Sequence, residues 1–292
     1  MPTLIVDSGS TKTHWLWSKG TGFNELLTQG LNPRFTSDEV FFEALDAVRK
    51  AIGEEQVLQT HFYGAGCGTK AMQERVKQLL LKAFPQSHIE VAGDLLGACR
   101  ACCGVEKGLV GILGTGSNMC YFDGEVIVRQ RFSTGYILGD EGSGNHIGRR
   151  LLKDYLEERM PNNVSVMFHD TYTMTSEEFI DNLYGKPTPN RYLASFAPFA
   201  AKHRQEGYIS EVLKDCFSAF LAQLDYFPDQ RHLPLHLVGG LAMTFEKEIR
   251  EAAKGTETFI GTILPDPAQR LHAYHLSEVL IANRQTKMSY NK

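Results

Sequence analysis

The alternation of apolar and polar positions predicts a succession of strands and helices. Apolar runs of strand length dominate the N-terminal segment, whereas from Thr36 to Ile52 the apolar residues recur at the 3.6-residue spacing of a helix. Thr36 and Glu39 form a capping-box pattern at the start of that helix. In the first half we predict strands at 3–6, 13–18, 23–28, 61–64 and 88–93, and helices at 36–52, 69–84 and from Asp94 onward.

The opening pattern returns later in the chain. Residues 108–122, GLVGILGTGSNMCYF, align with residues 1–15, MPTLIVDSGSTKTHW. In both copies an apolar strand enters a glycine–serine turn and a second strand follows, and Asp123–Gly124 then predicts a hairpin to a further strand. We interpret this as an internal duplication, with a domain boundary near residue 115.

The second half is predicted to be richer in helix. Long segments there carry apolar residues on one helical face, and strands return near the end. We predict helices at 141–160, 175–183, 191–203, 208–224, 241–253 and 268–284, and strands at 125–132, 234–240 and 258–264.

Composition narrows the class of protein. The 292 residues are 42% hydrophobic and 22% charged, which is typical of a globular chain. With a net charge of −4 and no long run of like charge, nucleic acid or an anionic membrane is not an expected partner. The N-terminus lacks a signal-peptide pattern, so we expect a cytoplasmic protein. The six cysteines are predicted to be mostly buried thiols, although Cys99 and Cys102 have the spacing of half a metal or redox site.

Three predicted strands end in turns made of glycine and small polar residues. These are VDSGST at 6–11, ILGTGSN at 112–118 and LVGGLA at 237–242. Glycines allow backbone N–H groups to approach an anion, and hydroxyl side chains add donors. Each turn alone fits a simple hairpin equally well, but three together favour phosphate binding. The chain has no G-x-x-x-x-G-K-[ST] and no G-x-S-x-G pattern, which disfavours a P-loop enzyme and an α/β-hydrolase.

Carboxylates stand at three predicted strand or loop ends. Asp7 is expected to serve a cation such as Mg²⁺, or alternatively to cap its own turn. Asp94 fits either a general base or a helix N-cap. Asp140 and Glu141 lie in YILGDEGSGNHIG, where the glycines favour close approach to a ligand but a helix-dipole role is also open.

In this order, DSGSTKT, GTGSN, LGDEGSG and LVGGLA resemble the motifs of the actin-like ATPase superfamily. More narrowly, the sequence resembles the N-acetylglucosamine kinases and the related BadF/BadG/BcrA/BcrD ATPase group. The resemblance implies an α/β fold of two ribonuclease-H-like domains with an interdomain cleft that binds ATP and Mg²⁺. The domains would be residues 1–115, joined by a C-terminal helix at 268–292, and residues 116–267 with a helical insertion.

The resemblance also implies a reaction and its residues. The γ-phosphate of ATP would pass to the 6-hydroxyl of N-acetylglucosamine or a related amino sugar, with Asp94 as catalytic base and Asp7 serving Mg²⁺. Residues that match ATP-binding positions are Asp7, Gly9, Ser10, Thr11, Lys12, Gly114, Thr115, Gly116, Gly239, Gly240 and Ala242. Residues that match sugar-binding positions are Asn32, Asp94, Ser117, Asn118, Gly135 and Asp140.

One departure from the family pattern bears on the substrate. Thr134 stands where the family usually has tryptophan, so glucosamine, a muramyl sugar or another amino sugar is an open alternative. Two other functions are also compatible with the resemblance. One is an ATPase that activates a partner enzyme through an iron–sulfur cluster held by exposed cysteines, and the other is a sugar or nucleotide sensor without catalysis. A homodimer is a further candidate partner arrangement for the chain.

Overall fold

The computed structural model describes residues 2–20, 22–185, 187–254 and 256–277. They form two compact units, one running to Glu106 and resuming at Asp266, the other spanning Lys107–Pro265. The sequence repeat placed the boundary after residue 115, whereas the structure keeps the whole strand Gly108–Leu113 in the second unit. None of the described helices is both long and apolar enough to span a membrane.

The first unit is built on a five-stranded sheet in the order β3-β2-β1-β4-β5. Strand β2 is antiparallel to both β1 and β3, while β4 is parallel to β1 and β5 is parallel to β4. The carboxyl ends of β1, β4 and β5 therefore lie at one edge of the sheet. The strands are β1 Thr3–Ser8, β2 Lys12–Lys19, β3 Gly22–Gln29, β4 Gln59–Gly64 and β5 His88–Gly93, and the helices are α1 Asp38–Ile52, α2 Lys70–Ala83 and α3 Asp94–Cys103.

The second unit repeats this connectivity. Its sheet has the order β10-β9-β6-β7-β8, so β6 occupies the position of β1, which confirms the internal duplication. The strands are β6 Gly108–Leu113, β7 Ser117–Phe122, β8 Ile127–Gln130, β9 Leu235–Val238 and β10 Ile260–Leu264. The helices are α4 Gly135–Leu138, α5 Gly144–Leu156, α6 Asn162–Tyr172, α7 Ser176–Gly185, α8 Pro189–Ala194, α9 Ala197–Lys202, α10 Gly207–Leu221, α11 Gly240–Thr244 and α12 Glu246–Ala253.

Each unit has its own hydrophobic core. In the first, Trp15, Phe41 and Phe62 are buried between the sheet and its helices, and in the second the aromatic rings of Phe168 and Phe217 are among the buried groups. Burial of one such side chain stabilises the fold by about 1.5–3 kcal/mol. These cores hold the sheet edges, and the residues on them, in fixed positions.

Several predicted helix limits are wrong. Helix α1 begins at Asp38 with Ser37 as N-cap, so the Thr36–Glu39 capping box does not form. The helix predicted at 191–203 is broken after Ala194, because Pro198 has no N–H to continue the helix and lies in the first turn of α9. The segment predicted as a helix at 241–253 is likewise split into α11 and α12. The last predicted helix is observed from 268 to 277, and its remainder to 284 lies outside the described residues.

The segment 268–277, here named α13, is anchored on the first unit by histidines. His272 Nε2 lies 2.9 Å from Ser18 Oγ, and His275 Nε2 lies 2.7 Å from the hydroxyl of Tyr63. The His275 ring also stacks on His61, with centroids 3.6 Å apart. Burial lowers the pKa of His275 to about 3, and His61 adds to the shift. The neutral histidine is therefore the form that holds α13 in place.

Candidate active site

The first sheet brings Asp7 and Asp94 to the same edge. Asp7, near the carboxyl end of β1, pairs with Tyr63 of β4, and Gly64 of β4 pairs with Gly93 of β5. Asp94 follows Gly93 directly and opens α3. The two carboxylates therefore share an edge because parallel strands end on the same side.

The surroundings of these carboxylates raise both pKa values. Burial raises the pKa of Asp7 to about 8, the nearby Asp266 and Asp94 add to the shift, and His14 and Lys12 oppose it. No described residue donates a hydrogen bond to the Asp7 side chain, so its negative charge is poorly compensated by the protein. Burial raises the pKa of Asp94 to about 6, against the opposing hydrogen bond from the Leu95 N–H at 2.9 Å.

Asp266 also lies near Asp7 at this edge of the first sheet, and the sequence did not predict it. Its Oδ1 lies 3.0 Å from His14 Nδ1, and its Oδ2 lies 3.5 Å from Lys12 Nζ. The Ala268 N–H also donates to Oδ1 at 2.9 Å, which caps α13. Burial opposes ionisation of Asp266, but the bond from His14 outweighs it and the pKa lies below its usual value. The sequence signal that could have indicated Asp266 is LPDP at 264–267, in which an acid closely follows a predicted strand.

The turn between β1 and β2 is tight and rests on a glycine. Gly9 N–H donates to Lys12 O at 2.9 Å, and Gly30 N–H donates to Thr11 O at 3.0 Å. A Cβ on Gly30 would lie 2.5 Å from the Gly9 carbonyl oxygen and from backbone atoms of Ser10. Only glycine therefore allows this approach, which leaves Thr11 exposed at the tip of the turn.

Asn32 lies in the same unit and is buried. Its Oδ1 accepts a hydrogen bond from Arg34 N–H at 3.0 Å. A Cβ on Gly66 would lie 2.2 Å from that oxygen, so the loop around Gly66 is built closely against Asn32. The amide nitrogen of Asn32 has no partner among the described residues, which leaves it able to donate to a ligand.

In the second unit the turn between β6 and β7 is joined to the start of α5. Gly144 N–H donates to Gly114 O at 2.8 Å, and Asn145 N–H donates to Thr115 O at 3.1 Å. Gly114 N–H donates to Gly116 O at 3.0 Å within the turn. The GTGS turn and the LGDEGSG loop therefore form one backbone unit.

Asp140 is fixed at the centre of that unit. Its Oδ1 accepts from Ser117 N–H at 3.2 Å and its Oδ2 from Asn145 Nδ2 at 2.9 Å. Asp140 has φ +57°, a conformation that side-chain-bearing residues rarely adopt. A Cβ on Gly116 would lie 2.9 Å from Asp140 Oδ2. Helix α5 begins only at Gly144, so Asp140 lies outside it, and the fully buried Asn145 is a second component that the sequence reading missed.

The side chain of Glu141 belongs to a separate hydrogen-bond network. Its Oε2 accepts from Arg131 Nη1 at 2.9 Å and from Gln223 Nε2 at 3.0 Å. Burial opposes ionisation, but these surroundings, chiefly Arg131, keep the pKa of Glu141 below its usual value. Ser117 Oγ donates to the Glu141 carbonyl at 2.8 Å, so this network adjoins the GTGS turn.

The third glycine turn lies against the second. Gly239 has φ +134°, and a Cβ there would lie 2.1 Å from the carbonyl oxygen of Leu113. Gly240 is exposed at the start of α11, whereas the side chain of Ala242 is completely buried. The turn thus presents backbone rather than side chains to solvent.

We predict that Gly239→Ala destabilises the protein by about 1–3 kcal/mol, because the added methyl meets backbone and the conformation is unfavourable for alanine. Thermal unfolding measures this. Gly240→Ala is the matched control, since a Cβ added there would meet no atom within 4 Å, and it should change the unfolding temperature little. Equal melting of both variants would contradict the close approach of the two turns.

The structure thus groups the expected residues by unit. The first unit brings together the 9–12 turn, Asp7, Asn32 and Asp94, and the second brings together 114–118, Asp140 and the 239–240 turn. Gly135 opens the short helix α4 with φ +70°. The preceding Thr134, which replaces the family tryptophan, is exposed.

Comparison with solved structures identifies the class. A provisionally named N-acetylglucosamine kinase from Porphyromonas gingivalis is 38% identical, covers 94% of this chain and 98% of its own, and superposes with a TM-score of 0.88. A second provisionally named N-acetylglucosamine kinase, from Chromobacterium violaceum, is 19% identical over 94% and 98% of the two chains, with a TM-score of 0.68. A ROK family glucokinase from Streptomyces griseus, solved with glucose and AMPPNP, is 14% identical over 92% and 95%, with a TM-score of 0.57.

The fold is that of the sugar kinases and actin-like ATPases. Within that class, the chain belongs to the N-acetylglucosamine kinase-like family. No protein-family model matches the chain, and no curated protein matches it either.

Proposed function

We propose that the protein is an ATP-dependent sugar kinase that phosphorylates the 6-hydroxyl of N-acetylglucosamine or a related amino sugar. The observation that carries the proposal is Asp94, a carboxylate at the carboxyl edge of the first sheet whose pKa is raised to about 6. A base of that pKa is matched to proton transfer near neutral pH. The 38% identical relative and its name support the same activity.

In the proposed reaction, Asp94 accepts the proton of the sugar 6-hydroxyl as that oxygen attacks the γ-phosphorus. The bond from the γ-phosphorus to the bridging oxygen breaks, and ADP leaves with that oxygen. Most of the rate in such transfers comes from positioning and from stabilisation of charge on the phosphoryl oxygens. The backbone N–H groups of the glycine turns supply that stabilisation.

The residues present fit ATP and Mg²⁺. Thr11 and Thr115, with the turns around them, would contact phosphates, and the Gly239–Gly240 turn would lie near the adenosine. Asp7 would serve Mg²⁺, because its carboxylate has no hydrogen-bond donor within the described chain and lies near two other acids. Among the described residues, no group of three or more His, Cys, Asp or Glu side chains is arranged to hold a metal ion by itself. When bound, Mg²⁺ would neutralise phosphate charge.

The groups expected to recognise the sugar are polar. The amide nitrogen of Asn32, the side chains of Ser117 and Asn118, the backbone near Gly135 and the fixed carboxylate of Asp140 are suited to sugar hydroxyl and acetamido groups. Because Thr134 presents less apolar surface than tryptophan, the amino sugars glucosamine and N-acetylmuramic acid belong in any substrate test.

A coupled assay of ADP release over a panel of sugars tests the proposal. The panel contains N-acetylglucosamine, its β-1,4-linked disaccharide, glucosamine, N-acetylmannosamine, N-acetylmuramic acid and glucose, each with Mg²⁺ and ATP. We expect sugar-stimulated turnover with at least one amino sugar, and phosphate on its 6-oxygen by NMR of the product. Absence of sugar-stimulated turnover would reject the kinase proposal.

The pH dependence provides a separate prediction. At saturating ATP and Mg²⁺, log kcat/KM for the sugar should fall with unit slope below about pH 6, where Asp94 becomes protonated. At pH 5 the value should be about one tenth of the plateau. An aspartate with an ordinary pKa would place the break near pH 4. A profile that stays flat to pH 5 would contradict Asp94 as the base.

The rival role as a partner-activating ATPase predicts exposed cysteines and an iron–sulfur cluster. Cys67 and Cys99 are buried, and Cys102 and Cys103 are partly exposed. We expect no iron–sulfur absorbance in the visible spectrum of anaerobically purified protein. A cytoplasmic location and a homodimer remain predictions.

A further inference from the structure

A cavity of about 430 Å³ that is widely open to solvent lies in the second unit, between the segment after β8 and the end of α10. Its wall carries Arg131, Glu141, Gln223, Asp225 and Tyr226, together with two alanine methyl groups. This volume is within the range of small-molecule sites. The roles proposed above for the glycine turns, Asp94 and Asp140 do not use it.

The polar groups of the cavity are only partly used by the protein. Glu141 accepts both of its hydrogen bonds, from Arg131 and Gln223, at Oε2, and its Oε1 has no partner among the described residues. Gln223 is 7% exposed and donates through Nε2, while its Oε1 is buried and finds no donor within the described chain. The wall therefore holds more acceptors than the protein satisfies.

The charges of the wall indicate the kind of ligand. Arg131, the one cation of the described lining, is paired with Glu141, and Asp225 is paired with Arg231. Arg129 lies outside the lining, against the ring of Tyr226. An anionic ligand would meet two carboxylates, whereas hydroxyl groups can donate to the unused acceptors. A neutral, hydroxyl-rich molecule fits this set.

An aromatic ring adds the apolar component. Tyr226 is 43% exposed, and the Arg129 guanidinium lies 4.3 Å from its ring centroid and so restrains the ring. Together with the two alanine methyl groups it provides apolar surface for the C–H groups of a sugar ring. Carboxylate, amide, guanidinium and aromatic groups thus meet in one cavity.

The cavity also adjoins the expected sugar site. Ser117, one of the expected sugar-binding residues, donates from Oγ to the Glu141 carbonyl at 2.8 Å, and Arg131 N–H donates to Met119 O at 3.0 Å. Asp140 and Glu141 are consecutive, with Asp140 bonded to Ser117 N–H and Glu141 bonded to Arg131 and Gln223. The two sites are therefore joined through one short backbone segment.

We propose that this cavity is a second saccharide subsite, which takes a neutral sugar ring of a substrate longer than a monosaccharide. The inference rests on the proposed sugar kinase function, and it assigns to that function an oligosaccharide as substrate class. The phosphorylated amino sugar would occupy the site near Ser117 and Asp140, and the next ring would lie against Tyr226, Gln223 and Glu141.

Calorimetric titration without ATP tests the subsite on the full chain. The probes are N-acetylglucosamine and its β-1,4-linked disaccharide. We expect the disaccharide to bind at least about tenfold more tightly, which corresponds to about 1.4 kcal/mol. Gln223→Leu and Tyr226→Ala should each remove most of that difference, with folding checked by thermal unfolding. Tyr184→Ala, at a tyrosine that is 79% exposed on α7, is the control and should retain it.

The outcomes separate this proposal from the kinase proposal. Equal affinity of the wild type for both sugars, or an undiminished difference in both variants, would overturn the subsite even if the monosaccharide is phosphorylated. A disaccharide preference that both variants abolish would support the subsite even if no sugar is phosphorylated, in which case only the kinase proposal fails. A preference for N-acetylmuramic acid over N-acetylglucosamine that depends on Tyr226 would contradict the neutral character of the ligand.

Discussion

Asp94→Asn is expected to lower kcat by about 10²–10⁴-fold while ATP affinity remains close to that of the wild type. Asparagine has the same shape and can still accept the Leu95 N–H at its carbonyl oxygen, so the start of α3 should persist. It cannot accept the proton of the sugar hydroxyl at neutral pH. Steady-state kinetics and nucleotide titration on the same preparations measure the two effects.

Asp123→Asn is a matched control for this substitution. Asp123 also accepts backbone N–H groups, those of Glu125 and Val126, but it lies on an exposed hairpin of the second unit. The Asp123→Asn substitution should change neither kcat nor the unfolding temperature appreciably. If Asp94→Asn retains kcat within tenfold of the wild type, Asp94 is only the first residue of a helix and the general base lies elsewhere.

Local sequence signals were sufficient to locate the strands, with ends that differ by about two residues. The second sheet repeats the strand order of the first, as the duplication predicts, and the three glycine turns appear where apolar strands stop. Gly9, Gly114 and Gly239 each closely follow an apolar run in the sequence. Each of these turns is encoded by a short segment of the chain, so one sequence is enough to predict it.

Contacts between distant segments were not predictable in the same way. Asp266 reaches His14 and Lys12 across more than two hundred residues of sequence, and Gln223 reaches Glu141 from the end of α10. Some predicted helix limits were wrong for a different reason. The apolar pattern continues through 191–203, but Pro198 removes a backbone donor and ends the hydrogen-bonded ladder, and this local chemistry outweighs periodicity.

Asp7→Asn is expected to stabilise the protein without Mg²⁺ and to abolish most of its activity. The pKa of Asp7 is about 8 in the folded state against an ordinary 3.8, so the folded state binds this proton more tightly than the unfolded state. Its unfavourable contribution therefore appears as the pH rises from about 4 to about 8, the opposite of a salt-bridged aspartate. Asparagine removes that charge, and the gain at pH 8 should be about 0.5–2 kcal/mol, a few °C in unfolding temperature.

The pH and Mg²⁺ dependence distinguish this explanation from a general effect on packing. The stability difference between Asp7→Asn and wild type should shrink toward pH 4, and Mg²⁺ with a non-hydrolysable ATP analogue should stabilise the wild type more than the variant. The kcat of the variant should fall about 10²–10³-fold. A lower unfolding temperature for Asp7→Asn at pH 8 without Mg²⁺ would show instead that the ionised Asp7 stabilises the fold. In that event Asp7 is structural, and the cation must be held by other groups.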